Sequence, residues 1–502
     1  MRSPDRRVVA AVVLLLAALV LGGCGTSGDS PSPSPSTPGA TPRPFTVLTT
    51  DPVRVVDPAA ITDASSAVLA YNVFQRLMTA DPGQPYLKPD AARECLFTTA
   101  TTYTCTLNEK LTFHNGHPLT AEDVKFSIER ATRLNVPGSS APLLSSLRRI
   151  ETPDDLTVRF LLIRPDTQFG WALAAPAASL VDAEVYDADR VRDPKDSVVG
   201  SGPFLLEKLE ANEMLLARHE TYIGRTPARL PELVYRTVAD SASIEDAMTK
   251  GTADVVWRGL DTAAITRLQQ QVQQSPEEQT ESGYRPTVLT GARVLQLEWG
   301  PESADRPSKP LRTAIALALQ GDRTSASLVP PGVPGHTAVF PLGGKATPKV
   351  TWKSRINLTL GYDPTTPGGR DLAVQIRTRL EDTGGLSVKL TPGEAGADLQ
   401  LVDRKAWTAT ALAWLQPYLE APLAESRRTV DTLETQFRAT PPTDPATADR
   451  LMTALQRQSA QDLVMLPISQ SDEHLYARTG VEVDALSFGP GWQLGLWGIG
   501  GG

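Results

Sequence analysis

A chain of 502 residues is too long for one hydrophobic core and divides into two or three bodies. Hydrophobic residues make up 41% and charged residues 21%, which is ordinary for a soluble globular protein. A net charge of −8, a pI near 5.4 and the lack of a long basic run exclude nucleic acid as a partner.

Arg2, Arg6 and Arg7 precede an apolar run from Val8 to Leu21. The run is too short to span a bilayer comfortably, so residues 1–23 read as a signal peptide. It ends in Leu21-Gly22-Gly23-Cys24, which resembles a bacterial lipobox with Cys24 as the lipidated residue. The Ser/Pro-rich stretch that follows, to residue 44, cannot build a core and favours an extended, semi-rigid tether. The order of parts places the body on the outer face of the cell membrane, held by a lipid anchor.

Phe45–Thr50 reads as the first strand, and Val56-Asp57-Pro58 as a connector. A helix follows from about Ser65 to Met78, with Ala67, Ala70, Tyr71, Phe74, Leu77 and Met78 on one face. The stretch from Cys95 to Cys105 has the alternation of a hairpin, and pairing about Ala100 sets the two cysteines opposite each other. Outside the membrane they oxidise, and closing so short a loop stabilises by roughly 3 kcal/mol.

The most informative stretch is Phe113-His-Asn-Gly-His-Pro-Leu-Thr-Ala-Glu-Asp-Val124 and the helix after it, which reaches Glu129-Arg130-Ala131. Asn115-Gly116 suits a tight turn. Thr120 and Asp123 form a capping-box pattern, and Val124, Ile128 and Ala131 share a helical face. Leu156, Val158, Phe160 and Leu162 alternate as a strand. In Val199-Gly-Ser-Gly-Pro-Phe-Leu-Leu206, two glycines flank Ser201 and permit close backbone approach. Val234–Asp240 is a strand, and Ile244–Met248 begins a helix that leads to Lys250-Gly251-Thr-Ala-Asp254-Val255.

These segments, in this order, resemble the peptide/nickel-type family 5 solute-binding proteins of ABC importers. The resemblance spans about Val47 to Leu486, and it is dense to about residue 255 and sparse beyond. Strands at Val294–Trp299, Ile356–Tyr362, Leu386–Leu390 and Val464–Ile468 alternate with helices at Pro310–Leu319, Asp371–Leu380 and Pro445–Asp462. That βαβ order marks an α/β lobe.

The resemblance implies an α/β, periplasmic-binding-protein-like fold (type II, cluster C), with two lobes around a ligand cleft and an extra inserted domain. By segment, the first lobe is 45–66, 190–288 and 476–502; the inserted domain is 67–189; the third body is 289–475. It also implies a receptor for a peptide or peptide-like solute that hands its cargo to ABC permease subunits in the membrane. Relatives hold the ligand's α-ammonium with an aspartate in a tryptophan-x-x-aspartate-tyrosine segment. The counterpart here is Trp414-Leu-Gln-Pro417-Tyr418-Leu-Glu420, with Pro417 at the aspartate's place. Either Glu420 supplies the charge, or the ligand lacks a free amino terminus. Trp299 stands where the family has asparagine and suits a ring-bearing ligand. Trp414, Tyr418, Glu420, Trp299 and Ser201 are therefore the candidate ligand contacts.

An alternative keeps the fold but makes it a surface lipoprotein that holds a protein partner and transports nothing. An enzyme is not indicated. The five histidines, at 114, 117, 219, 336 and 474, form no metal motif, and there is no Gly-x-Ser-x-Gly elbow or P-loop. No metal or cofactor is expected.

Overall fold

The computed structural model describes residues 43–502, apart from 82, 83, 85, 345–353, 365, 367, 394, 395, 485, 486, 490, 492 and 502. The signal peptide, Cys24 and the tether lie outside the described residues.

A ten-stranded sheet runs through the body. Its spatial order is Leu386–Pro392, Ile356–Tyr362, Leu399–Arg404, Tyr284–Trp299, Met465–Arg478, Val255–Trp257, Thr46–Thr49, Glu232–Thr237, Glu213–Arg218 and Phe204–Glu210. Thr46–Thr49 is parallel to both its neighbours, and so is Ile356–Tyr362. The two longest strands, Tyr284–Trp299 and Met465–Arg478, are antiparallel and sit in the middle. Their pairing shifts register between Leu289 and Arg293. On one side of the shift, Leu289 and Leu475 join a first core with Val47, Tyr71, Phe74, Tyr235 and Trp257. On the other, Val294, Leu297 and Leu466 join a second body's core with Leu311, Ile376 and Trp414. This strand pair is the continuous connection between the two.

A separate four-stranded sheet, Ala92–Thr99, Thr102–Leu107, Thr157–Leu162 and Leu147–Asp154, backs a further core around Phe113, Val124, Ile128, Phe160 and Phe169. The hairpin registers Cys95 opposite Cys105, and the disulfide forms across it with Cα atoms 4.1 Å apart. Helix Ala121–Leu134 starts with a complete capping box from Thr120 and Asp123 and buries Val124, Ile128 and Ala131.

The first helix is shorter than its periodicity suggests. It covers Ala64–Val73, and Phe74 has turned to extended backbone. The next residues are used in another way: Arg76 O accepts from Ala91 N at 3.0 Å, and Leu77 O accepts from Asp90 N at 3.0 Å. Tertiary pairing overrides a helical pattern here. Helices Thr262–Gln274, Ala411–Glu420 and Arg427–Ala439 and strand Leu399–Arg404 have no counterpart in the sequence reading.

Buried arginine–carboxylate joints link the three bodies. Arg130 grips Asp57 in a fork, Nη1 to Oδ1 at 2.9 Å and Nη2 to Oδ2 at 2.5 Å, with both side chains almost fully buried. Arg438 Nη1 reaches Asp166 Oδ2 at 3.0 Å, also out of solvent, and Thr167 N donates to Arg438 O at 2.7 Å. The third joint, at Arg258, lies in the site described next.

Candidate functional site

A cavity of about 560 Å³ opens where the first core meets the body that carries Trp414. Its volume is within the range of small-molecule sites. The sheet positions its walls. Asp51 follows the strand Thr46–Thr49, Arg258 follows Val255–Trp257, Asp363 follows Ile356–Tyr362, and Lys405 follows Leu399–Arg404. Ligands of open α/β sheets gather at the carboxyl ends of parallel strands, which is where these residues fall. Trp257, Tyr362 and Trp407 give the cavity aromatic surface, and Gln400 and Gln493 add amides.

An ionic cluster forms one wall. Arg258 has φ +60, a left-handed conformation that disfavours a residue with Cβ by roughly 1–2 kcal/mol. From that backbone its guanidinium meets three carboxylates: Asp51 at 3.0 Å, Glu473 at 2.8 Å and Asp403 at 3.4 Å. Arg293 Nε holds the other oxygen of Asp403 at 2.9 Å, and Lys405 pairs with Glu473. Asp51 and Arg258 belong to the first body, Asp403 and Lys405 to the other, and Arg293 and Glu473 to the two connecting strands. The cluster thus joins the bodies where the chain crosses between them. Burial pulls the Lys405 ammonium down to about 8, against the pull of Glu473 in the other direction. Burial pushes the Glu473 carboxyl up, but Lys405, Arg258 and Arg293 outweigh it and hold the group at about 2. Beside the cluster, Arg404 makes a two-point pair with Glu298, both bonds 2.8 Å.

The five expected ligand contacts are elsewhere, and none lines this cavity. Trp414 and Tyr418 lie on helix Ala411–Glu420, buried in their body's core. The Tyr418 hydroxyl donates to Asp462 Oδ2 at 2.7 Å, so its polar end is satisfied internally. Glu420 faces solvent at the end of that helix and accepts from Gln416 at 3.0 Å. Trp299 packs into the same core as Trp414. Ser201 is buried between two glycines pressed against the end of the first helix. The structure brings Trp299, Trp414 and Tyr418 together as packing.

Sequence reasoning passed over Trp407. Trp407-Thr-Ala-Thr410 repeats the tryptophan-x-x-polar spacing seven residues before the segment chosen, and Thr410 caps the helix that contains Trp414. Thr410 Oγ1 accepts from Ala413 N at 3.3 Å as part of that cap. The other signal was positional: charged residues immediately after strands of the sheet.

The glycines of Val199–Phe204 have a packing reason. A Cβ on Gly200 would lie 2.0 Å from Val73 O, and one on Gly202 would lie 2.6 Å from Val73 C. His114 sits against the same segment, donating from Nε2 to Gly202 O at 3.1 Å and accepting at Nδ1 from Gly200 N at 3.3 Å. Burial lowers His114 to about 4, which keeps this neutral tautomer at physiological pH. The family-like letters therefore build the seam between the first core and the four-stranded body.

Comparison with known proteins agrees with this architecture. The profile of the bacterial extracellular solute-binding proteins, family 5, matches residues 87–424. The chain belongs to that family. The family is one of substrate-binding receptors and is not catalytic. Among the described residues, no group of three His, Cys, Asp or Glu could hold a metal ion. Similar sequences include the probable D,D-dipeptide-binding periplasmic protein DdpA of Escherichia coli K12, 28% identical over 212 residues, 40% of each chain. The peptide transport periplasmic protein SapA of Salmonella typhimurium is 26% identical over 285 residues, 52% of this chain and 49% of its own. The chain thus aligns with half or less of the length of these two relatives. Among solved structures, AgaA from A. tumefaciens R10, in complex with agropinic acid, superposes with a TM-score of 0.77 at 20% identity, over 91% of this chain and 98% of that one. DppA from Helicobacter pylori, in complex with the peptide STSA, gives 0.74 at 18%, over 91% and 97%. These likenesses show the two-lobed, α/β binding-protein fold.

Proposed function

We propose that this protein is the solute-capturing receptor of an ABC importer and takes peptides or peptide-like compounds into the cavity beside Arg258. The observation that carries this reading is the cavity itself. It lies at the carboxyl ends of parallel strands in two bodies joined by a pair of crossing strands. Closure of such a hinge captures a ligand by its greater affinity for the closed state. We take the bodies as 45–66 with 190–288 and 476–502, then 67–189, then 289–475, with residues 67–74 of the second segment packing back into the first core. Lipid on Cys24 tethers them outside the cell within reach of permease subunits. The printed names of SapA and DdpA and the peptide complex of DppA support peptides as the class. A formed cavity with aromatic walls favours solute capture over the holding of a protein partner.

The test is thermal unfolding of the purified protein with pools of peptides of two to eight residues. A ligand at 100 times its Kd adds about 2.7 kcal/mol to stability. A melting curve that no pool moves, with none of the pooled peptides retained on dialysis, would count against peptide capture.

A further inference from the structure

One continuous piece of chain, residues 400–407, lines a side of the cavity. It begins in strand Leu399–Arg404 and ends in the connection to helix Ala411–Glu420. Its first half is tied to its own body, with Asp403 opposite Leu295 and Arg404 opposite Val294 in the sheet. Beyond Arg404 the chain leaves that ladder and lies against the first body.

Four neighbouring residues make the contact. Asp403 Oδ2 meets Arg258 Nη2 at 3.4 Å. The Lys405 ammonium stands 5.4 Å from the centre of the Trp257 ring. The Ala406 carbonyl presses on Gly491, where a Cβ would come within 2.1 Å of the oxygen. Trp407 packs against the first core and the four-stranded core together. Its carbonyl accepts from Gln493 Nε2 at 3.5 Å and from the Tyr71 hydroxyl at 3.4 Å, although that hydroxyl is nearer Ala174 O, at 3.1 Å. The ion pair and both hydrogen bonds to this segment are long, so each holds weakly alone. Their hold comes from seating together, and the bare backbone at Gly491 is what lets the segment seat.

We propose that residues 403–407 are a latch on the cavity, with Gly491 as its socket. Docked, the segment closes this side of the cavity against the first body. Released, it travels with the third body, to which the strand ladder ties it, as that body turns about the register shift between Leu289 and Arg293. Asp403, Lys405 and Trp407 are then positioning residues: they set affinity and exchange rate through closure, whatever else they offer a solute. The proposal rests on the cavity being the binding site and not on the class of solute.

The experiment is amide hydrogen exchange on the full chain without solute, wild type against Gly491→Ala. Gly491 does not line the cavity, so this variant leaves the solute's contacts in place. Exchange should rise by about ten-fold or more in 403–409 and in 257–260 together, while the Cys95–Cys105 hairpin keeps its rate. A rise confined to the neighbours of residue 491, or one spread evenly through the whole fold, overturns the latch. Should Gly491→Ala fail to fold, Asp403→Asn loosens the same contact from the other side. It should give the same paired rise, and unchanged protection in both segments overturns the proposal. Any peptide of two to eight residues that binds the wild type should leave Gly491→Ala about ten-fold faster or more. An unchanged dissociation rate sinks the latch and leaves the peptide reading standing. If no peptide binds, the peptide reading falls, and the exchange measurement decides the latch alone.

Discussion

Two buried ionic arrangements in this protein use the same side chains for different ends. At the seam between the first core and the four-stranded body, Arg130 is locked onto Asp57, and Asp57 also accepts from Arg192 N at 2.8 Å and Ala59 N at 3.0 Å. Both side chains of that pair are closed off from solvent. At the cavity, Arg258 divides itself among three carboxylates and shows a face to the space where a solute would sit. The first arrangement joins bodies within closed packing; the second joins them at the wall of a cavity. The residues that make the chain recognisable belong to the first.

The contrast can be broken most sharply at Arg130. Arg130→Ala leaves Asp57 charged and buried with no cation, and should cost about 3–5 kcal/mol in urea unfolding. Ligand affinity of the molecules that remain folded should not change. A loss of affinity without a loss of stability would erase the distinction between seam and site. Gly200→Ala tests the seam again. Its Cβ collides with Val73 O, so the strand entry and the first helix must part, at about 1–3 kcal/mol.

At the cavity, Lys405→Met should cost less than about 2 kcal/mol, because Glu473 keeps Arg258 at 2.8 Å. The same change should remove a pH dependence. With Lys405 at about 8 folded and 10.5 as its ordinary value, the folded protein binds fewer protons between those limits. Stability from this group therefore rises with pH across that window, and the rise should vanish in the variant when melting is followed from pH 7 to 10. The smallest effect at neutral pH belongs to His114→Gln. His114 is lowered to about 4 from 6.5, so the unfolded chain takes up the proton first and stability falls as pH drops between those values. The variant should flatten that acid limb in pH-dependent melting while its stability at pH 7 moves little.

The asymmetry explains what could be read from the letters. The capping box at Thr120 and Asp123, the Cys95–Cys105 hairpin and the helix Pro445–Asp462 are local patterns, and local chemistry specifies them. The glycines at 200 and 202, and Asp57 and Arg130, act at long range; their stretches stood out because the family shares those letters, but the pairing of Arg130 with Asp57 is visible only in the structure. The cavity had neither advantage. Arg258, Asp403 and Glu473 are far apart in the chain and meet only when the sheet sets their strands side by side. Trp414 carries the expected spacing, and only packing shows that it is buried in a core while Trp407 lines the cavity. The first helix was drawn past Val73 because its apolar period continues into residues whose backbones pair with Asp90 and Ala91.

The three bodies are joined in a ring: first to four-stranded through Asp57 and Arg130, four-stranded to third through Asp166 and Arg438, third back to first through Asp403 and Arg258. A triangle braced at every corner cannot widen along one side alone. Parting the third body from the first must therefore strain at least one other corner, so each clasp supports the other two.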